Sequence, residues 1–274
     1  MKKSSYLLAE LSMIVAMLVL TGCPRISQDN NKGNDNLMEE DDKAIEAVET
    51  HHEYVDLGLP SGTLWAICNV GATTPEGYGD CFAWGETEPK DYYDWDTYKH
   101  CHYDHEFLWP DFIKYCTDST FGYRGFVDNL TVLQLTDDAA SINWGNDWCT
   151  PTKEQWEELV QNTTNTITRQ NGVKGMLFTA NNGNGLFLPG AGAYFCIDKK
   201  RHKGFGRYWS SSLKADNPES WEDWADRDEP GVPDGLSYSW SFLFCCGLDC
   251  WYDYTIVECQ RQNGLSVRPV RSVK

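Results

Sequence analysis

Hydrophobic and polar positions divide the chain into three unlike stretches. Leu11 to Leu20 is an apolar run, Pro24 to about His52 is dominated by Asn, Asp, Glu and Lys, and from Glu53 to Val270 short apolar runs alternate with Gly, Asn and Pro. Within that last stretch the spacing predicts a helix over Thr152 to Val160. Thr152 caps it, Gln155 completes a capping box, and Trp156, Leu159 and Val160 fall on one face. A shorter helix is expected from near Thr136, with Asp137 and Asp138 in its favoured acidic first turn and Gly145 as its stop. Strands are expected at Thr63 to Val70, Gly79 to Trp84, Gly175 to Thr179, Gly185 to Leu188, Arg207 to Ser211, Tyr238 to Phe244, Tyr254 to Cys259 and Leu265 to Val270. Two helices among many short strands and long loops give an α+β class.

The first stretch changes the reading of the whole chain. Lys2 and Lys3 precede the apolar run, the arrangement of a secretory signal, and Glu10 interrupts any longer span. A membrane-spanning helix needs about 20 predominantly apolar residues, more than this run supplies. The run ends in Leu20-Thr21-Gly22-Cys23, which resembles the bacterial lipobox. That resemblance implies a signal peptide over residues 1–22 and lipidation of Cys23 with palmitate among its acyl chains, and the polar composition that follows reads as a flexible tether over 23–52. One domain over 53–274 follows, since no second linker of comparable polarity and no fixed-period repeat is present.

Charge narrows the partners. The chain carries a net -18, and without Lys2, Lys3 and Glu10 it keeps 21 basic against 40 acidic residues. Nucleic acid is a poor partner for such a surface, and the one basic cluster, Lys199 to Lys203, is short enough for a solvated turn. Ten cysteines remain after Cys23. Outside the cytoplasm they permit disulfides, but their spacing does not repeat and a domain of this length buries a core without staples, so a few bridges at most are expected.

Several motifs, in order along the domain, resemble one family. They are Tyr54-Val-Asp-Leu-Gly-Leu-Pro-Ser-Gly-Thr-Leu-Trp65, Gly79-Asp-Cys-Phe-Ala-Trp-Gly-Glu86, Asp137-Asp-Ala-Ala140, Asn143-Trp-Gly145 and Trp148-Cys-Thr-Pro-Thr-Lys-Glu-Gln-Trp-Glu-Glu-Leu159. Phe187-Leu-Pro189, Tyr208-Trp-Ser-Ser-Ser212 and Ser266-Val-Arg-Pro-Val270 continue the series. The chain resembles the Fibrobacter succinogenes major paralogous domain, which belongs with the formylglycine-generating-enzyme-like branch of the C-type lectin fold. The resemblance implies a C-type-lectin-like α+β domain. Trp65, Trp84, Trp148, Trp156 and Trp209 lie in framework motifs and are expected in the core. Cys149 departs from the pattern, standing where the family usually has Arg, which implies a lost ion pair or a gained disulfide. Trp221, Trp224, Trp240 and Trp251 lie in a less family-like stretch, where contact with a ligand and loop packing are both open.

Three kinds of chemistry deserve weighing. Cys245 and Cys250 share the C-x4-C spacing of the formylglycine-generating cysteine pair, but Cys246 sits between them and no other active-site residue is recognisable. His100-Cys101-His102 with Asp104 and His105 offers zinc-type ligands without a paired motif to close the site. Asn146-Asp147 and the acidic run Trp221 to Asp228 offer calcium-type oxygens without a sugar-reading signature. No nucleophile triad, acid and base pair or phosphate loop stands out, so neither an enzyme nor a cofactor nor a bound metal is expected. The expected function is a lipid-anchored outer-membrane binding module at the cell surface, recognising a protein or glycan ligand. The alternatives are an enzyme of the formylglycine-generating type or its inactive remnant, and a structural envelope or fimbrial subunit. The expected contact residues are Trp240, Phe242, Phe244, Asp249, Trp251, Tyr252, Asp253 and Tyr254. Ser241 to Cys259 reads either as a face varied by a diversity-generating retroelement or as an edge hairpin with disulfides, and the sequence leaves both open.

Overall fold

The computed structural model describes residues 52–106, 109–195, 200–214, 237–247 and 254–272. Cys23, the signal peptide and the tether lie outside them. Among the described residues no helix is long and apolar enough to cross a membrane.

The domain begins with β1 (Tyr54–Asp56) and β2 (Thr63–Ala66), followed by the hairpin β3 (Cys101–Asp104) and β4 (Trp109–Phe112). Two helices come next, α1 (Ala139–Trp144) and α2 (Lys153–Gln161). Then follow β5 (Thr163–Gln170), β6 (Val173–Ala180), β7 (Gly185–Pro189), β8 (Ala193–Tyr194), β9 (Arg201–His202) and β10 (Phe205–Leu213). The chain ends with β11 (Tyr238–Cys245), β12 (Tyr254–Gln260), β13 (Gly264–Leu265) and β14 (Val270–Ser272). These strands form small antiparallel sheets in the orders β1-β2-β14, β5-β6-β7, β10-β11-β12 and β13-β8-β9, beside the β3-β4 hairpin. The α+β class with short antiparallel strands and two helices is as expected.

α2 forms where its capping signals place it. The Thr152 hydroxyl accepts from the Gln155 N–H, and the Gln155 side chain accepts from the Thr152 N–H. Trp156 and Leu159 are fully buried on its inner face. α1 begins later than the charge pattern predicts. Asp138 is its N-cap, accepting from Ala140 N–H, while Leu135–Asp137 is a separate 3-10 turn; Gly145 caps the far end at φ 95°.

The sheet β10-β11-β12 divides the core, because alternate residues of a strand face opposite ways. Tyr208, Phe242 and Phe244 join Trp65, Trp156, Met176 and Phe178 on one side. Trp209 and Leu213 join Trp84, Tyr93, Phe112 and Trp148 on the other. All five framework tryptophans are buried as expected. Three of their indole N–H groups reach backbone carbonyls: Trp84 donates to Ser210, Trp156 to Trp209 and Trp209 to Phe82. Rings therefore join segments that no shared sheet joins.

Three strand expectations need correction. The strand at Thr63 stops at Ala66 rather than Val70, and Gly79 to Trp84 forms only one bridge, Phe82 to Leu265. Leu265 to Val270 is not continuous either: its ends pair with β8 and β2, and its middle crosses between sheets. The reason is Arg268. Its side chain is fully buried and donates to Asn69 Oδ1 at 2.8 Å, Ala66 O at 3.1 Å and Ile67 O at 2.6 Å. Carbonyls freed where β2 ends are satisfied by a guanidinium instead of a neighbouring strand. β5 was not expected at all, because its Thr and Asn residues lack an apolar alternation.

The Arg268 contacts give a first prediction. Arg268→Met should destabilise the domain by about 3 kcal/mol, since it strands three buried acceptors that cost roughly 1–3 kcal/mol each when unsatisfied, in part offset by relaxation. Urea unfolding of variant and parent measures it.

Candidate functional site

The expected contact residues separate in the structure. Phe242 and Phe244 are fully buried, and Phe242 stacks on Trp156 with ring centroids 4.8 Å apart. They are core residues, which corrects their assignment as ligand contacts: at their level of β11 that face is covered by Trp156, Phe178 and Tyr208. Tyr254, opposite Phe244, is half-buried and 6.2 Å from the Phe242 ring. Asp249, Trp251, Tyr252 and Asp253 lie outside the described residues, as do Cys250, Trp221 and Trp224. β11 and β12 form a hairpin whose outer strand β12 ends its sheet. Cys245 is disulfide-bonded, so its sulfur is not a thiol nucleophile in this state.

Trp240 stands at the rim. It pairs across the ladder with Glu258, and Tyr238 pairs with Gln260. Lys153 at the start of α2 holds its Nζ 4.3 Å from the Trp240 ring centroid and 3.4 Å from Glu157. Lys214 sits 3.5 Å from Glu258 and 5.6 Å from the Tyr238 ring. Two half-buried aromatic rings, each under an ammonium group, thus share one end of the hairpin with a carboxylate and an amide. Sequence reasoning found Trp240 and missed Tyr238, Lys153, Lys214 and Glu258. Strand alternation marks Tyr238 as facing with Trp240, but nothing in the sequence brings α2 and Lys214 beside them.

The other weighed chemistries do not assemble. His100 Nε2 lies 2.6 Å from Gly85 O, His102 stacks on Tyr123, and His105 lies 3.0 Å from Asp96. The three imidazoles point to different partners, and among the described residues no group of three or more His, Cys, Asp or Glu is placed to hold a metal. Asn146 and Asp147 are exposed.

An open cleft of about 320 Å³ is lined by Glu86, Thr87, Glu88, Pro89, Lys90 and Lys99. Of its two acids, Glu86 is already engaged. Glu86 accepts from the Lys99 N–H at 2.7 Å and lies 2.8 Å from Lys90 Nζ, which also donates to Thr97 O. Asp138 is likewise engaged, accepting from Thr150 N–H and Oγ1 at 2.7 Å. These carboxylates fasten loops.

Six thiols among the described residues are suppressed rather than activated. Cys68, Cys81, Cys101, Cys116, Cys149 and Cys246 are unbridged. Burial pushes all six upward, Cys81 to about 11 and Cys101 and Cys149 to about 12. Cys149 has thus gained no disulfide; it pairs its backbone with Val270.

No protein-family model matches the chain, and comparison with curated proteins and with solved structures likewise finds no match.

The buried thiols predict a pH dependence. An unfolded thiol ionises near 9.0, while Cys81, Cys101 and Cys149 stay protonated to about 11 or 12 when folded. Their contribution is complete below pH 9 and is lost as the pH rises toward 12. Urea midpoints should therefore fall between pH 9 and 11, and iodoacetamide at pH 8 should label these three only after unfolding.

Proposed function

We propose that the domain is a binding module with a C-type-lectin-like fold, carried outside the cytoplasm on a lipidated Cys23 and displayed from the outer membrane to the cell surface. It takes a protein or glycan ligand on the rim of the β11–β12 hairpin. The observation that carries this reading is the pairing of Trp240 with Lys153 and of Tyr238 with Lys214 on one half-exposed end of a fully packed sheet. Large amphipathic rings held by a rigid scaffold supply contact area at little entropic cost, and the charged groups beside them supply directional bonds.

The state of the titratable groups favours binding over catalysis. A nucleophile needs a lowered thiol pKa or an adjacent base, whereas six of the described thiols are raised by burial and the buried carboxylates are committed to backbone donors or lysine. The resemblance in the framework motifs supports the fold, and the positive, apolar and Cys23 elements of residues 1–23 support the anchor.

Two measurements test this reading. Cys23→Ala should abolish lipid labelling and release the chain from membranes, because one or more acyl chains are the strong attachment that the sequence offers; a variant that stays in the membrane contradicts the anchor. On arrays of glycans and of surface proteins, Trp240→Ala should reduce retention of the parent's ligand about tenfold or more, as loss of a central aromatic anchor does. Retention unchanged in both Trp240→Ala and Lys153→Ala would place the ligand elsewhere.

A further inference from the structure

β5 ends its sheet, and its composition is unlike the rest of the protein. The chain holds 41 acidic residues in 274, yet none between Leu159 and Ile197, where Arg169 and Lys174 are the charged groups. The β5–β6–β7 sheet therefore contributes no carboxylate of its own to a strongly acidic molecule. Two copies of this chain repel each other over most of their surfaces, and least here.

The turn between β5 and β6 fixes which backbone groups face outward. Asn171 and Gly172 have φ of 47° and 85°, the two-residue hairpin turn with both central residues left-handed. Its closing pair is Gln170 with Val173, so Thr164, Thr166 and Thr168 bond to β6 by alternation. The N–H and C=O groups of Asn165, Ile167 and Arg169 then point to the open edge. Thr164 and Thr166 are exposed on the outer face, while Ile167 packs against the core. β5 itself contains no proline, bulge or acid, and Arg169, whose guanidinium donates to Gly172 O, is its one charge.

We propose that β5 pairs edge to edge with β5 of a second copy, antiparallel about a twofold axis at Thr166. This register sets Asn165 opposite Ile167 of the second copy and Thr163 opposite Arg169 of the second copy, joining the outward backbone groups of both strands. It also sets Thr166 against Thr166 and Thr164 against Thr168, a self-complementary threonine ladder. Glu76, which accepts from Gln170 and Asn171, stands beyond the last paired residue. The two three-stranded sheets become one six-stranded sheet. The contact is small, so it gains from confinement to a membrane plane, a gain that rests on the lipid anchor proposed above; the edge geometry does not depend on it.

The axis makes the proposal testable. Residues of a non-hydrogen-bonded antiparallel pair have Cα atoms about 4.5 Å apart, within disulfide range. Thr166→Cys in the full chain, in vesicles under mild oxidation, should cross-link to a dimer on non-reducing gels at least fivefold more than Thr179→Cys, which is exposed on the same face one strand inward. Adding Asn165→Pro removes an outward N–H while leaving the β6 ladder intact, and should bring Thr166→Cys down to the Thr179→Cys level. A full chain that also carries Cys23→Ala, concentrated in solution, should show the same cross-link, so that a failed anchor and a failed edge are distinguished. Equal cross-linking of the two cysteine variants, or a dimer insensitive to Asn165→Pro in a domain that still melts cooperatively, overturns the proposal.

Discussion

The segment from Arg261 to Val270 is buried at every residue, and most of its backbone bonds go to distant parts of the domain. Arg261 O accepts from Trp84 and its N–H donates to Ser237, while Leu265 exchanges both bonds with Phe82. Ser266 O accepts from Trp209, Val267 O from Val70, and Pro269 O from Ala66; Val270 exchanges both bonds with Cys149. A chain of small sheets cannot close one core by strand pairing, since each sheet is too short to bury a face of its own. Here one extended segment passes through the middle and supplies the missing ladder bonds. Its two arginines do the rest: Arg268 fans into the carbonyls at the end of β2, and Arg261 donates to Tyr115 O at 2.9 Å with its guanidinium 4.1 Å from the Phe112 ring centroid. Burying two guanidinium groups without carboxylates is expensive, and the cost is offset by the carbonyl and amide oxygens that Arg268 meets and by the carbonyl and aromatic faces that Arg261 meets.

This constraint explains what the sequence makes legible and what it hides. α2 was readable because its signals are local: a Thr cap, a Gln three residues on and a one-sided apolar face. The framework tryptophans were readable because large rings in Gly-rich, short-stranded sequence have few places to go but the core. The extent of the strands at Thr63, Gly79 and Leu265 was not readable, because their partners are single residues far along the chain and a side-chain guanidinium substitutes for a strand. β5 was hidden for the opposite reason. Its side chains are Thr and Asn on a half-exposed ladder, and strand period shows only when one face is apolar.

The proposed contact face is half legible. Apolar and aromatic residues from Trp240 to Tyr254 mark a hairpin, but not which of its rings turn inward. The ladder places Phe242 and Phe244 beneath α2 and leaves Tyr238 and Trp240 at the end where Lys153 and Lys214 meet them. All four rings share one face of β11, and position along the strand decides which are covered: Phe242 and Phe244 lie within the packed cluster, Tyr238 and Trp240 at its end. Stiffness at this end of the hairpin thus derives from the packing behind it, and that packing derives from the buried segment.

Native-state hydrogen exchange tests this dependence most directly. If the segment closes the core, the amides of Ala66, Val70, Phe82, Trp84 and Trp209, each bonded to it, should exchange slowest and at one common opening free energy equal to that of global unfolding. Amides of β5 and of the hairpin rim should open sooner. Those five amides opening at separate free energies, sheet by sheet, would contradict the account.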